Sequence, residues 1–218
     1  SSPRPMPAMR HTTKFDENAH TYYIDGVAVP SVTQICSILT AGKYSGGRGV
    51  IDAARARGTA VHELCEAYDY GTLEEVPAEL SGYVKAYADF IRDYRPEWLY
   101  IEHQMYSRQL KYAGTCDRVG MIDGKWTVVD LKTTASMDRA SKLSLLAQLA
   151  AYQELAYTIG EAPDLTNGLG VQLKRDGSYT VHTQYDIMRR YDADGFTLFR
   201  HCQQIYYALE GMPKWNSK

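Results

Sequence analysis

The chain has 218 residues, 44% apolar and 23% charged, a balance that excludes a disordered or fibrous protein and predicts one domain with a full core. A net charge of −2 excludes a polybasic coat, so contact with nucleic acid would have to use a local patch. Cys36, Cys65, Cys116 and Cys202 are scattered without a C-x-x-C pair, which argues against a zinc ribbon or disulfide scaffold and predicts a reduced, intracellular, cytoplasmic setting.

No apolar run reaches the roughly 18 residues of a membrane span, and no basic-then-apolar leader is visible, so neither a span nor a signal peptide is expected. Residues 1–12 carry three prolines and little to bury, and are expected to be flexible. From His20 to Pro30 the pattern predicts a hairpin turning at Asp25-Gly26. Ser31 then suits an N-cap for a short helix through Leu39. Glycines at 42, 46, 47 and 49 predict a loop. Helical spacing begins at Val50, and Gly71 closes that helix. A second helix is expected over 78–94, stopped by Pro96.

Three strands follow: Trp98–Tyr106, Tyr112–Ile122 and Lys125–Thr133. A long helix is expected from Ser141 to Ile159, ended by Gly160 and Pro163. A hairpin of Gly168–Lys174 and Ser178–Thr183 then precedes a last helix over Ile187–Leu209. This order predicts an α/β (α+β) fold, a mixed sheet flanked by helices.

The stretch from Gly114 to Lys132 carries the most chemistry. With Asp123-Gly124 as a two-residue turn, Ile122 faces Lys125, Val119 faces Val128, and Asp117 faces Asp130. Alternation puts Asp117, Val119, Met121, Trp126, Val128, Asp130 and Lys132 on one face. Two carboxylates with β-carbons about 5 Å apart repel each other, and a divalent cation held by oxygen ligands is the simplest compensation. The alternative is a pair of exposed strand-end acids, one neutralised by Lys132. A lysine at that position either orients a metal-bound water and stabilises charge on a phosphate, or makes an ordinary salt bridge.

His62, one turn after Gly58, sits at the edge of its helix's buried face, where Gly58 would allow another backbone to approach. It is either a boundary histidine or a third metal ligand. Glu63 and Glu66 read as solvated. Gln148 and Tyr152 share one face of the long helix, and either serve the site or satisfy backbone groups in the core. Glu102 points inward from the strand before the hairpin, as a ligand through water or as a partner for Lys or Arg. Most of the 18 tyrosines fit core and boundary positions, with base-stacking platforms as the functional alternative.

Taken together, G-x-x-x-H at Gly58–His62, Glu102, G-x-x-D at Gly114–Asp117, D-x-K at Asp130–Lys132 and Q-x-x-x-Y at Gln148–Tyr152 resemble the RecB-type branch of the PD-(D/E)XK nuclease superfamily. The Phe15-Asp-Glu-Asn-Ala-His-Thr-Tyr lead-in with Val29-Pro-Ser-Val-Thr is similar to small stand-alone phage nucleases of this type. The resemblance implies one nuclease domain over 13–218 with a restriction-endonuclease-like core. It implies metal, Mg2+ or Mn2+, at His62, Asp117, Asp130 and the Leu131 carbonyl. Lys132 would be the catalytic lysine, with Asp117, Asp130, Glu102, Gln148 and Tyr152 completing the site. No iron–sulfur cluster is expected, because Cys202 stands alone near the C-terminal end.

The expected activity is metal-dependent exonucleolytic hydrolysis of DNA, in recombination, repair or phage DNA processing. Arg118, Lys142, Lys174 and Arg175 are the candidate backbone contacts. The rivals are an endonuclease with the same core, a non-catalytic DNA-end-binding module, and a hydrolase of small phosphate esters. No interface or oligomeric state can be read from the sequence.

Overall fold

The computed structural model describes residues 10–43, 46–162 and 165–216. The expectations for residues 1–9 and for Pro163 lie outside them. Strands β1 (Thr13–Asp16), β2 (Thr21–Ile24) and β3 (Val27–Val29) form a small antiparallel sheet. The turn at Asp25-Gly26 is as expected, with both residues at positive φ, but β1 extends the hairpin into a third strand that the sequence reading left out.

Ser31 caps α1 (Val32–Cys36) through a capping box with Gln34, and a 3₁₀ turn continues over Ser37–Thr40. Helix α2 runs from Arg48 to Tyr70, so Gly49 belongs to its first turn rather than to the loop. Left-handed Gly71 ends it. Helix α3 (Ser81–Tyr94) follows a 3₁₀ turn over Ala78–Leu80.

Strands β4 (Glu97–Ser107), β5 (Tyr112–Ile122), β6 (Lys125–Lys132), β7 (Asn167–Leu173) and β8 (Tyr179–Thr183) form the main sheet in that order. Only β6 and β7 are parallel, and their crossover carries α4 (Arg139–Thr158). Asp138 caps α4 by accepting the Ser141 N–H.

The single last helix expected over Ile187–Leu209 is instead two, α5 (Gln184–Tyr191) and α6 (Gly195–Glu210). The break has a local cause. Asp192 adopts the left-handed conformation, and the Asp194 carboxylate accepts the Thr197 N–H as a new N-cap.

The sheet is covered on both faces. On one, α1, α4 and α6 bury Ile35, Leu145, Leu149 and Phe199 against Val119 and Val128. On the other, α2 and α3 bury Val61, Cys65, Tyr87 and Phe90 against Val129, Leu131 and Val171. The mixed sheet flanked by helices is thus present, and its middle strands carry the acids. No helix among the described residues is long and apolar enough to cross a membrane.

Candidate active site

The β5–β6 register is the expected one, with Ile122 opposite Lys125 and Val119 opposite Val128. It runs only as far as Arg118↔Val129. Beyond it the Leu131 N–H donates to Asp117 Oδ2 at 2.6 Å, so a carboxylate takes the place of a ladder partner. On the other side the β4–β5 ladder passes from Ile101↔Arg118 to His103↔Cys116, skipping Glu102 and Asp117.

Glu102 has φ +48°, a left-handed conformation that costs a non-glycine residue on the order of 1 kcal/mol or more. Cys116 and Val119 pack in the same core cluster although they are three positions apart, an odd step that regular alternation would place on opposite faces. Side-chain alternation therefore slips at Asp117-Arg118. The one-face arrangement expected for Asp117 and Val119 does not survive this irregularity, which turns Asp117 toward α2.

Three ligand-type side chains converge there: single donor atoms of His62, Glu102 and Asp117 all lie within 4.8 Å of one another. His62 Nδ1 is 3.3 Å from Glu102 Oε1 and 3.4 Å from Asp117 Oδ1, while Nε2 is 3.2 Å from the Leu131 carbonyl. Carboxylates and carbonyls only accept here, so both ring nitrogens carry protons and the imidazolium balances the acids. Burial would lower the His62 pKa, but Asp117 and Glu102 outweigh it and hold the pKa well above the usual histidine range.

The two hairpin acids are pushed apart. Asp117 is buried, which alone would raise its pKa, yet His62, the Leu131 amide and Lys132 lower it. Asp130 is raised by burial, with Lys132 only partly compensating, and Glu102 is also raised by burial. Lys132 Nζ lies 2.9 Å from Asp130 Oδ2 and donates to Gln148 Oε1 at 2.9 Å. The contact with Asp130 is an ion pair by distance, but it is not aligned as a hydrogen bond, and Oδ2 is buried without a donor. Despite burial, Asp130 and Asp117 hold the lysine pKa above its ordinary value. Gln148 in turn donates to Ser144 at 2.9 Å.

Imidazole, carboxylates, a carbonyl and one orphaned carboxylate oxygen make an oxygen-rich donor set of the kind that holds a hard divalent cation. His62, Glu102, Asp117 and the Leu131 carbonyl form the tight group. Asp130 stands beside it, turned toward Lys132, whereas the sequence reading had paired it with Asp117 as a ligand. The site opens into a cleft of about 690 Å³ that Tyr152 also lines. Gly114 explains part of the fit: a β-carbon there would come within 3.0 Å of Tyr152 Cε1 and 3.1 Å of Val32 Cγ2. Gly58 does not play the role expected of it. The nearest atom to an added β-carbon is Thr133 Oγ1 at 3.6 Å, an ordinary contact, and no backbone approaches.

The candidate DNA contacts divide. Lys142 and Lys174 both lower the His182 pKa, after burial as the larger cause, so they stand near that ring. His182 contacts Gln172, the register partner of Lys132, at 3.0 Å. Arg175 is exposed in the β7–β8 turn, with its carbonyl against Gly82 of α3. Arg118 is a correction. Its side chain is 0% exposed, donating to Asp69 at 2.8 Å, Glu102 at 3.1 Å and the Asp117 carbonyl at 2.7 Å, so a DNA backbone cannot reach it.

The sequence reading missed the partners of that network, Asp69 and Tyr87, whose hydroxyl donates to Asp69 at 2.5 Å. The only available signal was an aspartate in the last turn of α2, seven residues after His62 and on the same helix face. A larger cavity of about 830 Å³ lies between α4, α5 and the start of α6, but its lining brings together no metal-ligand group among the described residues.

No curated protein matches the chain. Among solved structures, LHK-Exo in complex with dAMP shares 12% identity and a TM-score of 0.34, covering 84% of this chain and 91% of that one. SSO0001 shares 15% identity at the same TM-score, covering 83% and 87%. Overlaps this low carry no argument about the site. The family comparison is more direct: the PD-(D/E)XK nuclease superfamily matches over residues 73–175, a span holding Glu102, Asp117, Asp130, Lys132, Gln148 and Tyr152. Over that span the chain is similar to the PD-(D/E)XK nuclease superfamily.

Proposed function

We propose that the protein is a divalent-metal-dependent DNA exonuclease, active with Mg2+ or Mn2+, that works intracellularly in recombination, repair or phage DNA processing. The observation that carries this reading is the convergence of His62, Glu102 and Asp117 within 4.8 Å, beside a lysine held by Asp130 and Gln148. His62, Glu102, Asp117 and the Leu131 carbonyl would hold the cation, with Asp130 completing the set.

When bound, such a cation polarises a phosphate and lowers the pKa of water at neutral pH. The chain's own residues do the rest. Asp117, kept ionised, supplies negative charge at the centre of the site. Lys132, kept protonated, presents an ammonium to the phosphate and stabilises charge that develops there. Asp130 and Gln148 fix that ammonium, and Tyr152 walls the cleft. Lys142 and Lys174 meet the backbone, so affinity falls with salt. Holding the metal requires neutral His62, so loading releases a proton.

The test is incubation with end-labelled linear and covalently closed circular DNA in magnesium or manganese. Shortening from the ends with the circle intact supports an exonuclease. A linearised circle points to the endonuclease reading. Uncut DNA in every condition overturns both.

A further inference from the structure

The cleft has two chemically different sides. On one, Lys132 stands with Asp130 and Gln148 behind the residues that line the cleft. The other is built by the N-terminal hairpin and α2, and the described residues lining the cleft include no lysine or arginine. That second side carries Glu17, Glu63 and Glu66, which repel phosphates, together with three aromatic rings, Phe15, His20 and Tyr22.

These rings form a connected wall. Tyr22 is the foundation: it is 3% exposed, and its hydroxyl bonds Thr115 Oγ1 at 2.7 Å, two residues before Asp117 on β5. Phe15 packs on Tyr22 with centroids 4.5 Å apart, and His20 meets Phe15 edge-on at 5.2 Å. Phe15 is half-buried and His20 is exposed. The turn that presents His20 is braced, since Asp16 Oδ1 accepts the Ala19 N–H at 3.0 Å and Thr21 Oγ1 donates to the Ala19 carbonyl at 3.0 Å. His20 itself has φ +48°, a left-handed conformation that histidine adopts more readily than most residues. The wall is therefore fixed to the same strand as the catalytic acid.

We propose that Phe15 and His20 form a stacking seat for an unpaired nucleobase next to the phosphate at the His62–Glu102–Asp117 cluster. A base offers a π-face to the rings and amino donors to the surrounding carboxylates, while its phosphates stay on the lysine side. A base inside a duplex cannot enter, because both its faces are covered, and a paired terminal base is held in the stack by its partner. The seat thus selects frayed or single-stranded ends. This inference rests on the nuclease reading and names the feature of the substrate that the site recognises.

The probe is an oligonucleotide with 2-aminopurine at its unpaired terminal position, titrated with the full chain in calcium, and cleavage of the same strand is measured separately in magnesium. Stacking on a ring quenches 2-aminopurine, so wild type should quench it on binding. His20→Asn, an exposed change that suits the same left-handed backbone, and Phe15→Leu, which keeps apolar packing on Tyr22, should each relieve the quench. Each should weaken binding on the order of tenfold, the scale of losing one base–aromatic stack. No quench by wild type, or full quench by both variants, overturns the seat. Cleavage without quench removes the seat and leaves the nuclease reading standing. Quench without cleavage in magnesium or manganese supports the seat and removes the nuclease reading.

Discussion

Asp117 and Arg118 are neighbours on one strand, yet they lie in opposite electrostatic settings. Asp117 faces a cleft with Glu102 and Asp130 close by, and His62 and Lys132 supply the nearby positive charge. Arg118 is sealed from solvent, its guanidinium shared between Asp69 and Glu102 with the Tyr87 hydroxyl at 3.2 Å. The sealed network has nearly matched charge, with Arg118 Nε and Nη1 paired and Nη2 buried without an acceptor, and such pairing is how a buried ion pair survives desolvation. The open cluster has more acid than base, with three carboxylates, of Glu102, Asp117 and Asp130, against His62 and Lys132. Charge that the fold leaves unbalanced at a concave surface marks a site prepared for something else, whereas charge balanced inside a core marks scaffold.

That contrast can be broken most sharply at Asp117. Asp117→Asn should abolish DNA cleavage and lower the melting temperature modestly, because His62, the Leu131 amide and Lys132 favour the charged carboxylate and almost no volume is lost. Normal turnover on end-labelled DNA would return Asp117 to the scaffold. Arg118→Met should do the reverse in kind. Leaving Asp69 buried without its partner should cost about 3–5 kcal/mol of stability, read as a lowered denaturation midpoint. A midpoint unchanged from wild type would mean that the network is not holding the fold.

Lys132→Ala comes next in size. Single-turnover cleavage should drop on the order of a hundredfold, the scale of removing one preorganised charge donor. Metal affinity measured by calorimetry should change little or rise, since a positive charge has left the neighbourhood. Lost stability with nearly normal cleavage would make the lysine a structural partner of Asp130. The smallest effect is expected at Gln148→Ala, about tenfold in cleavage rate, because Lys132 keeps its ion pair with Asp130 but loses one orienting bond. Stronger loss there than at Lys132 would invert the roles given to the two residues. EDTA gives the common control: it should stop cleavage in wild type, and magnesium or manganese should restore it.

Much of the frame was readable in the residues. The β5–β6 register followed from the Asp123-Gly124 turn, α2 followed from apolar spacing bounded by Gly71, and the long helix expected over Ser141–Ile159 is α4. Where sequence reading went astray, the deciding forces were local or distant in ways that spacing does not carry. The Asp192–Asp194 break between α5 and α6 is a capping decision made against a continuous apolar stripe. The burial of Arg118 depends on Asp69 and Tyr87, contributed by two other helices, and no pattern within β5 announces them.

The sequence by itself determined which residue types were available and in what order along the strands: an acid pair bracketing a tight turn, a lysine two residues on, and a histidine one helical turn after a glycine. Those follow from short-range rules, the period of a strand and the pitch of a helix. Only the tertiary structure decided which of them meet. The skipped pairing at Glu102 and Asp117 turned both acids toward His62 and left Asp130 to Lys132. Tertiary packing also brought the N-terminal hairpin against β5, so that Phe15, His20 and Tyr22 became a wall of the cleft. These contacts join residues far apart in the chain, and their energies come from burial, charge balance and backbone irregularity, which exist only once the core has closed.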